Sequence, residues 1–212
     1  MRGFSFHGDD TTIRLLTNTG PHSSSMARAK GESRPMTADL FAYSFRPAVA
    51  GDLPRLRRWL HAPEVMRWWG DPREQFELLR ADLNEPRMAM RIVSFNGRPF
   101  AYAQDYAVHA WPQPHLTHLP QGARAIDSFI GCPSMVGRGH GSAYLSLLAQ
   151  RLCAEGAPLV AIDPAADNLR ALRAYVRAGF RFEARVETET GQSALMIYNP
   201  MRQASSPSPR LP

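Results

Sequence analysis

A chain of 212 residues with 44% hydrophobic content is long enough for one domain with a sizeable core plus some tail. It holds no apolar run of 18 residues, which excludes a membrane-spanning helix, and its opening residues MRGFSFHGDDTTIRLL predict no secretory signal. The net charge of +6 is carried by scattered arginines, with Lys30 the only lysine, and not by a clustered stripe, which argues against a nucleic-acid partner.

In chain order, residues 1–40 are rich in Ser, Thr and Gly and show no apolar period. Residues 201–212, MRQASSPSPRLP, alternate Ser and Pro. Neither stretch can bury enough surface to offset the entropy of ordering, so both are expected to be disordered tails around a folded domain at 41–200. YSFRPA alternates and predicts a strand. Gly51-Asp52 then opens a helix, with Asp52 as N-cap and Leu53, Leu56 and Leu60 on one side. EVMRWW predicts a second helix. Asp71-Pro72, a cap before a first-turn proline, starts a third through REQFELLRADL, with Glu74 at the capping-box position.

Two alternating runs flank Asn96-Gly97, a strong hairpin signal. AWPQPHLTHLPQGA, 110–123, is a proline-broken loop, and RAIDSFIGC a strand. Residues 139–154 are expected to be helical, with Tyr144, Leu148 and Leu152 at four-residue spacing. PLVAID is a short buried strand. NLRALRAYVRAGF is a helix closed by Gly179, and the last two strands meet near Thr190-Gly191. The order β-α-α-α-β-β-β-α-β-α-β-β predicts an α/β (α+β) fold with helices across a mixed sheet.

The cysteines, Cys132 and Cys153, form no disulfide framework, and the reducing cytoplasm is the expected compartment. Cys132 reads as a small buried hydrophobe. His115 and His118 resemble half a metal site, but with no further ligand nearby no metal is expected.

SMVGRGHGSAYLSLLAQRL, 134–152, carries a strand's exit through three glycines into a helix. Such a turn suits a phosphate, because the first helical N–H groups lack internal partners and glycine lets a ligand touch the main chain. The spacing G-x-G-x-G is neither the dinucleotide fingerprint nor the triphosphate loop. Downstream, Asn168, Ala171, Tyr175, Gly179 and Phe180 give N-x-x-A-x-x-x-Y-x-x-x-G-F. Ala171 and Tyr175 share a helix face with Asn168 one turn earlier, while Leu169, Leu172 and Val176 are expected to form the core stripe.

Together these two motifs resemble the GCN5-related N-acetyltransferases (GNAT), and the resemblance covers nearly all of 41–200. It implies a mixed central sheet of six to seven strands flanked by four to five helices, with acetyl-CoA as co-substrate and no metal. The coenzyme would lie on Val136, Gly137, Arg138, Gly139, His140, Gly141, Ser142, Asn168 and Ala171. Val136 departs from the family's Q/R at the first motif position, which weakens coenzyme binding modestly at most.

EVMRWWGD, YAQDY, AIDSFIG and IDPAADNLRALRAYVRAGF are further similar to segments of the aminoglycoside 6'-N-acetyltransferases. That resemblance makes Asp127 the base or amine anchor and Tyr175 the acid for the departing thiolate. It makes Trp68, Trp69, Tyr102, Gln104, Asp105, Asp127 and Asp163 the substrate contacts. An ordinary Asp, with a pKa of about 4, is a poor base for an amine, so anchoring with a water relay is favoured. The thioester oxygen would be met by main-chain N–H groups near Cys132-Pro133. The expected activity is direct transfer to a primary amine of a small molecule by a monomer or homodimer, without nucleic acid or membrane. Two alternatives stay open: an acyltransferase of hydroxamate siderophore formation, and a non-catalytic CoA-binding module. The loop 110–123 has no acidic residue, so attraction of a polycation would be local.

Overall fold

The computed structural model describes residues 42–201, so the tail expected at 1–40, and all but Met201 of that expected at 201–212, lie outside that range. The described chain runs β1 (Tyr43–Pro47), α1 (Leu53–Leu60), α2 (Pro63–Trp69), α3 (Pro72–Asp82), β2 (Met88–Phe95), β3 (Arg98–Ala107) and β4 (Arg124–Ile130). It continues with α4 (His140–Ala154), β5 (Val160–Ile162), α5 (Leu169–Arg177), β6 (Arg181–Thr188) and β7 (Gly191–Tyr198). The strands form one mixed sheet ordered β1-β2-β3-β4-β5-β7-β6, antiparallel throughout except for the β4–β5 pair.

Local chemistry explains most of these elements. Asn96 and Gly97 both take positive φ, 48° and 74°, and close β2 onto β3 through a tight turn whose twist matches the strands. Asp71 caps α3, its carboxylate accepting from the N–H groups of Arg73 and Glu74. Asp52 does something different from the cap expected of it. It makes no side-chain cap to α1. Its buried carboxylate instead takes two hydrogen bonds of 2.6 Å from Arg46, one from Arg55 and one from the Val49 N–H. The Arg46 contact, foremost, holds that carboxyl below the usual range. Asp52 therefore ties β1 to the start of α1.

Helices α1–α3 cover one face of the sheet, packing Leu56, Trp59, Leu60 and Trp69 onto Met90, Ile92, Tyr102 and Phe129. Helices α4 and α5 cover the other, where Tyr144, Leu145, Leu148 and Leu152 meet Val93, Ala101, Ala103 and Ile126. Gly131 belongs to the first layer: a Cβ there would stand 2.1 Å from Trp59 Cγ, so only glycine fits beneath the indole.

Helix α5 corrects one expectation. Leu169 and Val176 are 58% and 60% exposed, and of the expected stripe only Leu172 packs on the core. The inward face is centred on Ala171 and Tyr175 instead. Leu172 and Tyr175 hold the helix to the core, while Ala171, Ala174 and Tyr175 wall the cavity.

The feature that makes a site is the meeting of β4 and β5. They pair only at Arg124–Val160 and Ala125–Ala161, although β4 continues to Ile130. Beyond Ala125 the two parallel strands part, and the sheet opens into a wedge between its halves.

Candidate active site

That wedge holds a cavity of about 230 Å³. One wall is β4 from Ile126 to Ile130, and the facing wall runs from Ile162 to Ala165. The glycine turn and first turn of α4, the inward face of α5, and the α2 residues Glu64, Val65, Trp68 and Trp69 complete it.

The glycine turn fits a phosphate-bearing ligand. Gly137 and Gly139 have φ of 76° and 86°, and a Cβ added at either would project into open space. Gly139 caps α4 in the left-handed conformation without a side-chain cap. No acceptor among the described residues takes the N–H groups of Gly137, Gly139, Gly141 or Ser142. Bare main-chain donors at the positive end of a 15-residue helix form a cradle for anionic oxygens. Ser142 Oγ donates to the Gly139 carbonyl at 2.8 Å and stiffens the turn. Val136, Gly137, Gly139, Gly141, Ser142, Asn168 and Ala171 all line the cavity.

Two residues expected in the cradle stand apart from it. The His140 ring turns the other way, its Nδ1 2.6 Å from Tyr43 Oη and its ring packed against Phe95 and Phe100. Its share in the cradle is confined to main chain. Arg138 is exposed on the turn and does not line the cavity. Asn168 has a structural duty as well, since its side-chain oxygen caps α5 by accepting from the Ala171 N–H at 3.1 Å.

On the acceptor side, Asp127 and Tyr175 both line the cavity. Asp127 is buried and accepts from Gln104 Nε2 at 2.9 Å. Tyr175 is half-buried, and its hydroxyl has no hydrogen-bond partner among the described residues. Burial, then the neighbouring Tyr144, Asp127 and Asp163, push its phenol far above the ordinary value. The hydroxyl therefore stays protonated at any working pH. Asp163 lines the cavity too and accepts from His115 Nε2 at 2.9 Å, which gives the loop histidine a partner other than a metal. No group of three or more metal-type ligands exists among the described residues.

Trp68 is half-buried beneath the Arg67 guanidinium, 5.0 Å from its ring centroid. Trp69 is buried and meets Phe129 edge-on at 4.7 Å. Both indoles line the cavity, Trp69 also belonging to the core.

Asp105 is not in this site. Strand alternation puts it on the α4 face, fully buried and ion-paired with Arg91 and Arg124, whose Nε donates at 2.6 Å. Gln104 and Tyr102 are on the acceptor face but buried behind Asp127 and do not reach the cavity. The N–H groups of Gly131 and Cys132 both donate to the Phe100 carbonyl, at 2.9 and 3.0 Å, so they are not free to meet an oxyanion.

Three cavity features escaped sequence reasoning. Tyr144, expected only as core, lines the wall and bonds Ser128 Oγ through its hydroxyl at 2.6 Å. Ser128 in turn donates to the Tyr102 carbonyl at 2.6 Å. Glu64 on α2 and Arg170 on α5 form an ion pair between cavity-lining residues. A polar residue at helical spacing was the one signal for Tyr144; the ion pair joins residues 106 apart and had none.

Comparison with known proteins agrees with this geometry. A model of the acetyltransferase (GNAT) domain matches residues 48–188. The chain is 29% identical over 161 residues to the aminoglycoside N(6')-acetyltransferase type 1 of Klebsiella pneumoniae, spanning 69% of this chain and 77% of that protein. It is 32% identical over 77 residues to a kanamycin resistance protein of Rhizobium radiobacter, spanning 36% of this chain and 71% of that one. Among solved structures, AAC(6')-Ib in complex with paromomycin and acetyl-CoA superposes with a TM-score of 0.69 at 25% identity, covering 80% of this chain and 99% of that one.

Proposed function

We propose, from the premise that this chain belongs to the GNAT acetyltransferase family, that it transfers the acetyl group of acetyl-CoA to the 6'-amine of an aminoglycoside. Acetyltransfer from acetyl-CoA is the family's chemistry; the acceptor and the residue roles are our reading. The observation that carries it is one cavity with bare α4 amides at one end and both Asp127 and Tyr175 on its wall.

Acetyl-CoA supplies an activated carbonyl carbon, to which the amine nitrogen bonds as the carbon–sulfur bond breaks. The chain's own groups do the rest. The amides of Gly137–Ser142 hold the diphosphate and set the depth to which the thioester reaches. Asp127 attracts the ammonium and holds it for deprotonation through water, because an ordinary carboxylate is too weak a base to strip it directly. Tyr175 keeps its proton at Oη and offers it as a hydrogen bond to the departing sulfur as negative charge develops there; the thiol, with a pKa of about 8.5, is the stronger acid, so the thiolate can leave hydrogen-bonded and take its proton from solvent. Trp68 and Trp69 offer flat apolar walls to sugar rings.

A polycationic acceptor gains from several carboxylates, and Glu64 and Asp163 line the cavity besides Asp127. Each has a cationic or protonatable neighbour, Arg170 for Glu64 and His115 for Asp163. The attraction is therefore short in range. The proposed setting is the reducing cytoplasm, where Cys132 and Cys153 remain thiols as they are here.

The test is thiol release from acetyl-CoA with a panel of amines. Kanamycin is expected to support release, and N-hydroxyornithine is not. Release with the hydroxylamine alone would replace the aminoglycoside by a siderophore precursor, and tight CoA binding with no release on any amine would make the chain a binding module.

A further inference from the structure

We propose that Tyr102 and Gln104 are positioning residues that aim Asp127 and hold it as an acceptor, and that neither touches the acceptor substrate. The inference rests on the reading of Asp127 as the residue that meets the acceptor amine. Three side chains form a continuous buried chain: Tyr102 Oη donates to Gln104 Oε1 at 2.6 Å, and Gln104 Nε2 donates to Asp127 Oδ2 at 2.9 Å. They are 0%, 6% and 7% exposed, and of the three only Asp127 reaches the cavity.

The backbone enforces the arrangement. Gln104 and Asp127 are direct cross-strand partners on β3 and β4, and Tyr102 lies two residues from Gln104 on the same face. The amide has one donor end and one acceptor end, so its orientation follows from its neighbours. An ionised Asp127 only accepts, and a reversed amide would set Oε1 against a carboxylate oxygen. Tyr102 locks the same orientation from behind by donating to Oε1. Its phenol keeps that proton, because burial and then the Asp127 and Asp82 carboxylates raise its pKa well above the ordinary value, Arg91 opposing. The chain thus fixes which end of the Gln104 amide meets Asp127. Asp82 from α3 and Arg91, on the opposite face of β2, act on the Tyr102 phenol, and Tyr175 from α5 is electrostatically coupled to Asp127.

The experiment is the pH profile of kcat/KM for kanamycin in the full chain and in Gln104→Glu, Tyr102→Phe and Asp127→Asn, with CoA affinity by calorimetry as the check on fold. Gln104→Glu sets two carboxylates within hydrogen-bond distance. It is expected to move the acid limb of the profile up by about one pH unit or more, with CoA affinity within about twofold of the parent. Tyr102→Phe is expected to lower kcat/KM about threefold to tenfold, again sparing CoA. If Asp127→Asn abolishes turnover while Gln104→Glu leaves the acid limb in place, the positioning role is overturned and the Asp127 reading stands. If Asp127→Asn turns over normally, both fall. Should Gln104→Glu lose CoA binding through misfolding, Tyr102→Phe decides alone, and an unchanged kcat/KM across the pH range overturns the proposal.

Discussion

A phenol serves as an acid only while it keeps its proton, and Tyr175 is placed to do so. It lines the cavity, and burial together with Tyr144, Asp127 and Asp163 raises its pKa. The sign is plain: a raised pKa means Tyr175 contributes no alkaline limb where an ordinary phenol, at about 10, would titrate. Tyr175→Phe is expected to lower kcat about a hundredfold or more, with CoA affinity within about twofold by calorimetry. Equal losses in turnover and affinity would make Tyr175 a binding residue only. Adjacent residues in YAQDY show how much of the site is legible in the sequence. Strand alternation sends Gln104 and Asp105 to opposite faces, so both could not serve one cleft. The rule was available and excludes Asp105, which pairs with Arg91 and Arg124 under α4. The Tyr102–Gln104–Asp127 chain was not legible, because it depends on a register in which residues 23 apart stand opposite each other.

Among the elements, α4 carries the most direct link from sequence to chemistry. Its glycine spacing predicts a phosphate cradle, and the geometry is of that kind: positive φ at Gly137 and Gly139, with open space where a side chain would sit. Gly139→Val combines a left-handed backbone that a β-branched residue resists with a side chain pushed into the cradle. CoA affinity by calorimetry is expected to fall tenfold or more, with a stability loss of about 1–2 kcal/mol in thermal unfolding. Unchanged affinity would remove the cradle from coenzyme binding. Helix α5 was legible in its extent but not in its orientation. Leu169, Leu172 and Val176 make a convincing apolar stripe on paper, yet the helix turns Ala171 and Tyr175 inward and leaves Leu169 and Val176 exposed. Apolar periodicity assumes that a helix buries its greasiest face. This one seats Leu172 and Tyr175 on the core and turns Ala171 and Ala174 to the cavity.

Over the whole molecule, the order of strands and helices was readable because each element has a local signature: alternation, a cap, a turn pair. The event that makes the protein an enzyme is not local. β4 and β5 pair at two positions and then separate, and nothing in either strand's composition announces where pairing stops. Nor is the sheet order β5-β7-β6 written in any one segment. Likewise the Glu64–Arg170 pair links the helix that bears the indoles to the one that bears Tyr175, across most of the sequence. The wedge so formed brings a cofactor cradle and an acceptor carboxylate to one cavity, and that conjunction is the central claim. It is tested most directly by incubating the protein with acetyl-CoA and kanamycin and locating the acetyl group in the product by NMR. One acetyl on the 6'-nitrogen is predicted; an acetyl on another nitrogen, or unmodified kanamycin after prolonged incubation, would contradict it.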